Sequence, residues 1–510
     1  MQETQQKFIG IDARKTMFVL AAIFITYLLV AVLFGLTKYP SDDEAWFSSS
    51  AMTLLETGQM GISVKEVEGT MWTRMDQYTY WQPPLHFLFQ AIWYAIFGFS
   101  LMSMRISSAL WGIVALIAIY NIVLGLSRNR TASVLAVGIM AFDFTFINSA
   151  ADGRMDMMCV ALALTGFATY IRMRERNLNL AMLIGHTCIV GAGLTHAHGI
   201  VPFGAMILLN LWMDLKRIRI RHVLIALIPY VIGGLGWGIY IMQDPQAFHD
   251  QFLGHVSRKT VTSPSIFHAF WMEIQKRYLT AYGFVSGGSL VAKFKIIALL
   301  IYIVGVVVSL TRLRSKDKSG EPVLLVLLGF YFITQSLLIQ EKSNFYLLHV
   351  LPFYAMLLAI ALSSVWNRTL TWKVAVVLVV VIFFGINLGT EYRRIVDNDY
   401  KNIYLQVAQA MEPYDSDGRT VMASAEYAFE LGFDENFIDD PTLGYYTGRT
   451  PDVILLTPWY EKWFRVFENQ RPELGEYVSN LLDNEFVEVY TLRIFSVYVR
   501  KTLIGQGNSD

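Results

Sequence analysis

The sequence predicts a mainly α, polytopic membrane protein, with about eleven spanning helices over residues 1–390 and a small soluble α/β unit over 391–510. Three observations predict it. Apolar residue types make up 54% of the chain and charged types only 16%, and the mean hydropathy is +0.42. A hydrocarbon core about 30 Å thick takes about 20 helical residues to cross, and apolar runs of that order recur along the chain. Charge is also segregated. The chain is neutral, with 41 basic and 41 acidic residues, but Glu391–Asp510 holds 21 acidic against 11 basic, a net −10 that leaves +10 for residues 1–390. Disordered and nucleic-acid-coating chains need abundant charge, so both classes are excluded.

Apolar runs bounded by charge place spans near 17–37, 104–127, 131–148, 156–172, 178–195, 199–214, 223–242, 292–311, 322–340, 345–365 and 371–390. Alternate connections are strongly basic: Arg128 and Arg130; Arg172, Arg174 and Arg176; Lys216, Arg217, Arg219 and Arg221; Arg312, Arg314, Lys316 and Lys318; Arg368 and Lys373. The positive-inside rule puts these in the cytoplasm. The 38–103 connection, the 243–291 connection and the acidic tail then lie outside. Within the first of these, Pro84–Ser100 is apolar but short and breaks at Gly98, so it reads as a juxtamembrane helix. No signal-peptide cleavage pattern precedes the first span. Cys159 and Cys188 both fall within spans, so no disulfide framework is expected. The glycosylation acceptor patterns at Asn129 and Asn367 sit in cytoplasmic loops and should stay unmodified. In the tail, Thr420–Ser424, Asp452–Thr457 and Phe486–Tyr490 read as strands and 399–412 and 472–483 as helices, which suggests a small α/β unit.

The informative residues are polar ones at the outer membrane boundary. Asp42, Asp43 and Glu44 follow the first span and open a helix-like stretch, Ala45–Glu56. Ser41 or Asp42 can cap that helix, with acids in its first turn complementing the dipole, but capping needs only one or two of them. Asp152, Arg154 and Asp156 stand at the outer edge of the fourth span, either as an ion pair anchoring the helix end or with Asp156 facing an aqueous path. Tyr78 to Leu85 carries Tyr80, Trp81, Gln82 and two prolines that fix an extended entry into the juxtamembrane helix. His196 and His198 lie between spans five and six; two histidines with no third ligand make a weak metal site and suit an anion equally well. Lys342 and Tyr346 open span ten. His249, His255, Arg258 and Lys259 belong to the 243–291 connection, which reads as a lid or acceptor loop, or as a solvated interfacial helix. Carboxylates at a cavity mouth with Arg, Lys and His around them suit attack of a hydroxyl on a phosphate-linked substrate. No Gly-rich phosphate loop supports soluble nucleotide binding.

The order of motifs resembles the membrane glycosyltransferases of the GT-C class, in particular the protein O-mannosyltransferase and aminoarabinose (lipid A) transferase superfamily. The residues that carry it are Asp43-Glu44, the Tyr-rich segment ending in Pro83-Pro84-Leu85, Phe97-Gly98, Arg105 to Ala109, Arg154 to Asp156 and Lys342 to Pro352, over roughly 10–365. The resemblance implies transfer of a sugar from a polyprenyl-phosphate carrier to an acceptor on the extracytoplasmic face. It makes Asp43 the catalytic base, with Glu44 completing its motif and Asp156 as the second acidic position. Arg154, Lys342 and Tyr346 would then lie near the carrier phosphate, and Arg74, Tyr80, His196 and His198 are placed on that donor side too. The expected setting is a bacterial inner membrane, with lipid and a still unspecified acceptor as partners, no nucleic acid, no certain cofactor, and a divalent cation admitted by the external acid clusters. Two departures mark this chain. Trp81-Gln82 stands where lipid A transferases usually carry an acidic–basic pair, and His196 or His198 replaces a common lysine after span five. The rival readings are a transporter or flippase, whose usual related halves are not seen, and a non-catalytic scaffold with a ligand-binding tail.

Overall fold

The computed structural model describes residues 10–66, 72–259, 265–284, 293–314, 320–339, 342–366, 368–415 and 418–504. Helices occupy all eleven expected span positions: α1 (Ala13–Thr37), then, after the external helices α2 (Asp42–Thr57) and α3 (Leu85–Phe97), α4 (Leu101–Ser127), the pair α5 (Arg130–Ala141) and α6 (Phe144–Ala150), α7 (Asp156–Met173), α8 (Leu178–Thr195), α9 (Ile200–Asp214), α10 (Ile220–Ile241), α11 (Ile296–Arg312), α12 (Glu321–Leu338), α13 (Leu351–Trp366) and α14 (Leu370–Asp397). Among the described residues seven are long and apolar enough to cross a membrane alone, or eight if the α5–α6 pair is one span. The helices α9, α11 and α13 have only 15, 17 and 16 residues.

The third expected span is broken by 65°. Asp143 causes the break: its carboxylate accepts from the backbone N–H groups of Thr145 at 2.8 Å and Phe146 at 3.2 Å, capping a new helix where one was expected to continue. The juxtamembrane helix is α3, only 13 residues, ended by Gly98 at φ +82°, a left-handed backbone that glycine adopts without strain. The membrane helix α14 runs on to Asp397, past the boundary expected at 390.

The tail forms a five-stranded sheet of order β2-β1-β3-β5-β4, built from β1 (Val421–Met422), β2 (Phe437–Ile438), β3 (Val453–Leu456), β4 (Phe486–Leu492) and β5 (Phe495–Arg500). The first three strands are parallel, and β5 runs antiparallel between β3 and β4. Strands β2 and β5, and the helix α15 (Pro458–Gln470), were not expected from the sequence; α16 (Pro472–Glu485) was. Two residues, as in β2, are too few to show the alternation that marks a strand.

The tail and the external loops share a hydrophobic core in which Trp46, Phe47 and Trp81 pack with Tyr404, Tyr427 and Val453. The loop even extends the sheet: Lys65 bridges Asp439 in parallel beyond β2, with Asp439 N–H donating to the Val64 carbonyl at 2.7 Å. Trp46 Nε1 donates to Asp439 Oδ2 at 3.0 Å and Tyr39 to the Tyr427 hydroxyl at 3.0 Å. The tail is thus fastened over the C-terminal end of α1 and over α2 and α3.

Candidate active site

The site starts at the N-terminus of α2. Ser41 caps the helix by accepting from the Glu44 N–H at 3.3 Å, and Glu44 Oε2 accepts in return from the Ser41 N–H at 2.9 Å. The same carboxylate is fully buried and receives Arg105 Nε at 2.7 Å, Arg105 Nη2 at 2.8 Å and the Gly153 N–H at 3.0 Å. Burial by itself would raise its pKa, but the Arg105 charge and hydrogen bonds outweigh it and hold the group near 2. Glu44, expected as a catalytic partner of Asp43, is therefore a cap and clamp whose oxygens point away from the cavity. Its anchor on Gly153 sets the loop that carries the next charged residues; a Cβ on Gly153 would meet Met104 Sδ at 2.4 Å.

With Glu44 turned inward, Asp42 and Asp43 face the cavity. Arg154 pairs with Asp43 and, through Nε at 3.0 Å, with Asp156 Oδ2, while its guanidinium lies 4.6 Å from the centre of the Phe345 ring. One arginine thus joins the two acidic patches, 113 positions apart between Asp43 and Asp156. The Asp156 side chain is 4% exposed and that of Asp43 24%, so Asp43 is the more open carboxylate. Asp156 Oδ1 has no hydrogen-bond partner among the described residues; His349 Nε2 stands 3.6 Å away and His196 Nε2 4.0 Å. The His198 N–H donates to His196 Nδ1 at 2.8 Å, which leaves the ring proton of neutral His196 on Nε2, the atom facing Asp156. His198 stacks on Tyr346 at 3.8 Å between ring centres. Burial pushes the Asp42 carboxyl up to about 6, helped by the Asp439 charge and opposed by Lys65 and Arg154.

Several expected donor contacts lie elsewhere. Arg74 is half-exposed and paired with Asp244 and, at 2.8 Å, Gln77. Tyr80 is buried as a strut, its hydroxyl donating to the Tyr240 carbonyl at 2.9 Å. Lys342 is consumed by Glu273 at 3.1 Å and the carbonyls of Gln335 and Ser336 at 3.1 and 2.7 Å. Its neighbours in sequence, Ser343, Phe345 and Tyr346, line the cavity in its place. His249 is exposed beside Asp250. The side chains of Arg258 and Lys259, and residues 340–341, lie outside the described residues. His255 does join the site, its ring 5.9 Å from that of Trp72 and 5.5 Å from that of Trp81.

Two cavities meet here. The first, about 570 Å³, is charged and aromatic: Asp42, Asp43, Arg154 and Tyr346 from the membrane half, Asp440, Tyr446, Trp459 and Arg471 from the tail. The second, about 580 Å³, is an apolar groove between α8, α9 and α10, with Ile189, Leu194 and Phe203 on its walls and His196 and His198 at its end. Gln82 and His255 line both. Sequence reasoning missed Asp42, Gln82 and His349 as site residues, although each stands inside a motif it had picked out. The tail residues had no local signal at all. Among the described residues no three His, Cys, Asp or Glu side chains are grouped to hold a metal ion.

A helical membrane body with a charged cavity, an apolar groove beside it and the tail as a roof has the architecture of the GT-C membrane glycosyltransferases. The family model for dolichyl-phosphate-mannose-protein mannosyltransferases matches residues 81–237, which hold Arg154, Asp156, His196 and His198. The structure of ArnT from Cupriavidus metallidurans bound to undecaprenyl phosphate is similar, with a TM-score of 0.62 and 13% identity over 96% of this chain and 98% of that one. AglB from Archaeoglobus fulgidus, in complex with an inhibitory peptide and a dolichol-phosphate, gives 0.56 and 12% over 93% and 70%. Comparison with curated protein sequences gives no match. These matches show the GT-C fold, with residues 81–237 similar to the mannosyltransferase family.

Proposed function

We propose that this protein is an inverting glycosyltransferase that moves a sugar from a polyprenyl-phosphate carrier to an acceptor hydroxyl, from a site on the extracytoplasmic face of a bacterial inner membrane. The observation that carries the reading is the Asp43–Arg154–Asp156 bridge at the junction of a charged cavity with an apolar groove. A polyprenyl donor has the same division, an isoprenoid tail and an anionic sugar-phosphate head. The basic alternate loops support the sidedness.

In this mechanism the tail lies in the groove, the phosphate reaches Arg154 and the His196–His198 pair, and the sugar enters the charged cavity. Phosphate oxygens compete with Asp43 for Arg154, which frees the carboxylate. Asp43 then takes the proton of the acceptor hydroxyl as its oxygen attacks the anomeric carbon. The bond from that carbon to the phosphate oxygen breaks on the opposite face, and its electron pair leaves with the lipid phosphate. That leaving group departs as an anion and needs positive neighbours more than a proton, unlike the leaving group in a two-carboxylate hydrolase. Asp156, held by Arg154 and facing His196 and His349, orients the cationic side. The test is Asp43→Asn, followed by release of polyprenyl phosphate from labelled donor. Turnover should fall about 10²–10⁴-fold with the fold intact; near-normal turnover removes Asp43 from the role.

A further inference from the structure

We propose that the part of the charged cavity roofed by the tail is a saccharide-binding subsite, with Tyr446, Trp459 and Trp463 as its aromatic wall, and that the acceptor is a neutral glycan. The inference rests on the glycosyltransferase reading and names the substrate class on its acceptor side.

Three observations carry it. The first is the wall itself. The tail turns Tyr446, Trp459 and Trp463 into a space that Trp72 and Trp81 line from the external loop. Trp459 and Trp463 stand edge to face, 5.6 Å between ring centres, and both are only part-buried. The C–H faces of a sugar ring pack flat on such rings, while its hydroxyls need polar groups at the rim.

The second is charge. Lining acids are Asp42, Asp43, Glu66 and Asp440; lining bases are Lys65, Arg154 and Arg471. Lys65 is already 3.0 Å from Asp439, and Arg154 is shared by Asp43 and Asp156. Arg471 is left to the roof, bonded to the Tyr446 hydroxyl. A phosphorylated acceptor would enter a space whose acids outnumber its bases, whereas a neutral polyol meets carboxylates that accept from its hydroxyls.

The third is a set of buried polar atoms. Trp81 Nε1, Gln82 Oε1 and Trp459 Nε1 are buried at the lining and have no hydrogen-bond partner among the described residues. Trp81 is 5% and Gln82 3% exposed. Leaving such groups unmatched is unfavourable, and an incoming hydroxyl, which both donates and accepts, satisfies either kind. A peptide acceptor would instead favour an open strand edge, but beyond β2 that edge is already taken by Lys65.

The experiment uses the full chain in nanodiscs, probed with a glycan array, a phosphorylated-glycan set and a peptide set, with labelled polyprenyl phosphate as a separate donor arm. Neutral glycans should be retained saturably by the wild type and roughly tenfold more weakly by Trp459→Ala/Trp463→Ala, the scale of a lost aromatic contact. Polyprenyl phosphate binding should be unchanged. Trp463→Leu, at a part-buried position, gives the same reading if the double variant does not fold. Retention of phosphorylated glycans or peptides alone, or unchanged neutral-glycan binding in the variants, overturns the subsite. A wild type that binds polyprenyl phosphate but no glycan overturns the subsite alone, and one that binds neither counts against the proposed function as well.

Discussion

The two cavities have nearly equal volumes, about 570 and 580 Å³, and opposite walls. The charged one draws its lining from segments far apart in sequence: the start of α2, the loop before α7, the stretch before α13 and the tail. The apolar one is assembled mainly from helices α8, α9 and α10 and their connections. A groove for a hydrocarbon needs only apolar surface, which neighbouring helices supply as they pack. A reacting site needs a few groups held within fractions of an ångström, and so needs a framework behind them. Glu44 and Arg105 are that framework.

The largest effect should come from breaking it. Truncating one partner of a buried ion pair strands the other charge and costs about 3–5 kcal/mol. Glu44→Ala leaves Arg105, 2% exposed, facing two carbonyls without its carboxylate. We expect loss of most folded protein, read by thermal unfolding in detergent. Asp43→Asn, one residue away and partly exposed, should shift stability by less than about 1 kcal/mol while lowering turnover about 10²–10⁴-fold. Equal destabilisation by both variants would erase the distinction between framework and reacting group.

Much of this was legible beforehand. The eleven helix positions, the short helix before Gly98 and the two acid patches all follow from local patterns of apolar runs and charge, because a membrane imposes those patterns segment by segment. What escaped was long-range. Nothing around Asp143 shows that its carboxylate will cap a second helix rather than sit in the first. Lys342 looked like a phosphate ligand because the sequence could not reveal Glu273, its partner 69 positions away. Arg74 was lost to Asp244 for the same reason. Trp459 and Trp463 lie in a stretch where no helix was expected, and only the fold brings them into one cavity with Asp42 and Asp43.

The apolar side of the comparison can be tested without touching a charge. Gly234 lines the groove on α10, and a Cβ there would meet nothing within 4 Å. Gly234→Phe therefore places a ring in open groove space without backbone strain. KM for the lipid donor should rise about tenfold, a cost of about 1.4 kcal/mol, with kcat near normal. A fall in kcat at constant KM would show that the groove does not hold the donor's tail.

The smallest effect concerns the roof. Glu426 is buried within the tail, accepting from Ser424 at 2.6 Å and from Tyr39 at 3.3 Å. Burial, with the Asp42 charge behind it, pushes its carboxyl up to about 8 from an ordinary 4.5. Between those values the folded chain holds a proton that the unfolded chain releases, so stability falls as pH rises through the window. Glu426→Gln keeps the hydrogen-bonding shape without the titration. The wild type should lose a few degrees of Tm between pH 5 and 8, and the variant should lose less. Since Tyr39 follows the first membrane helix and Glu426 belongs to the tail, a slope that survives the substitution would mean that the roof is fastened by groups other than this carboxyl.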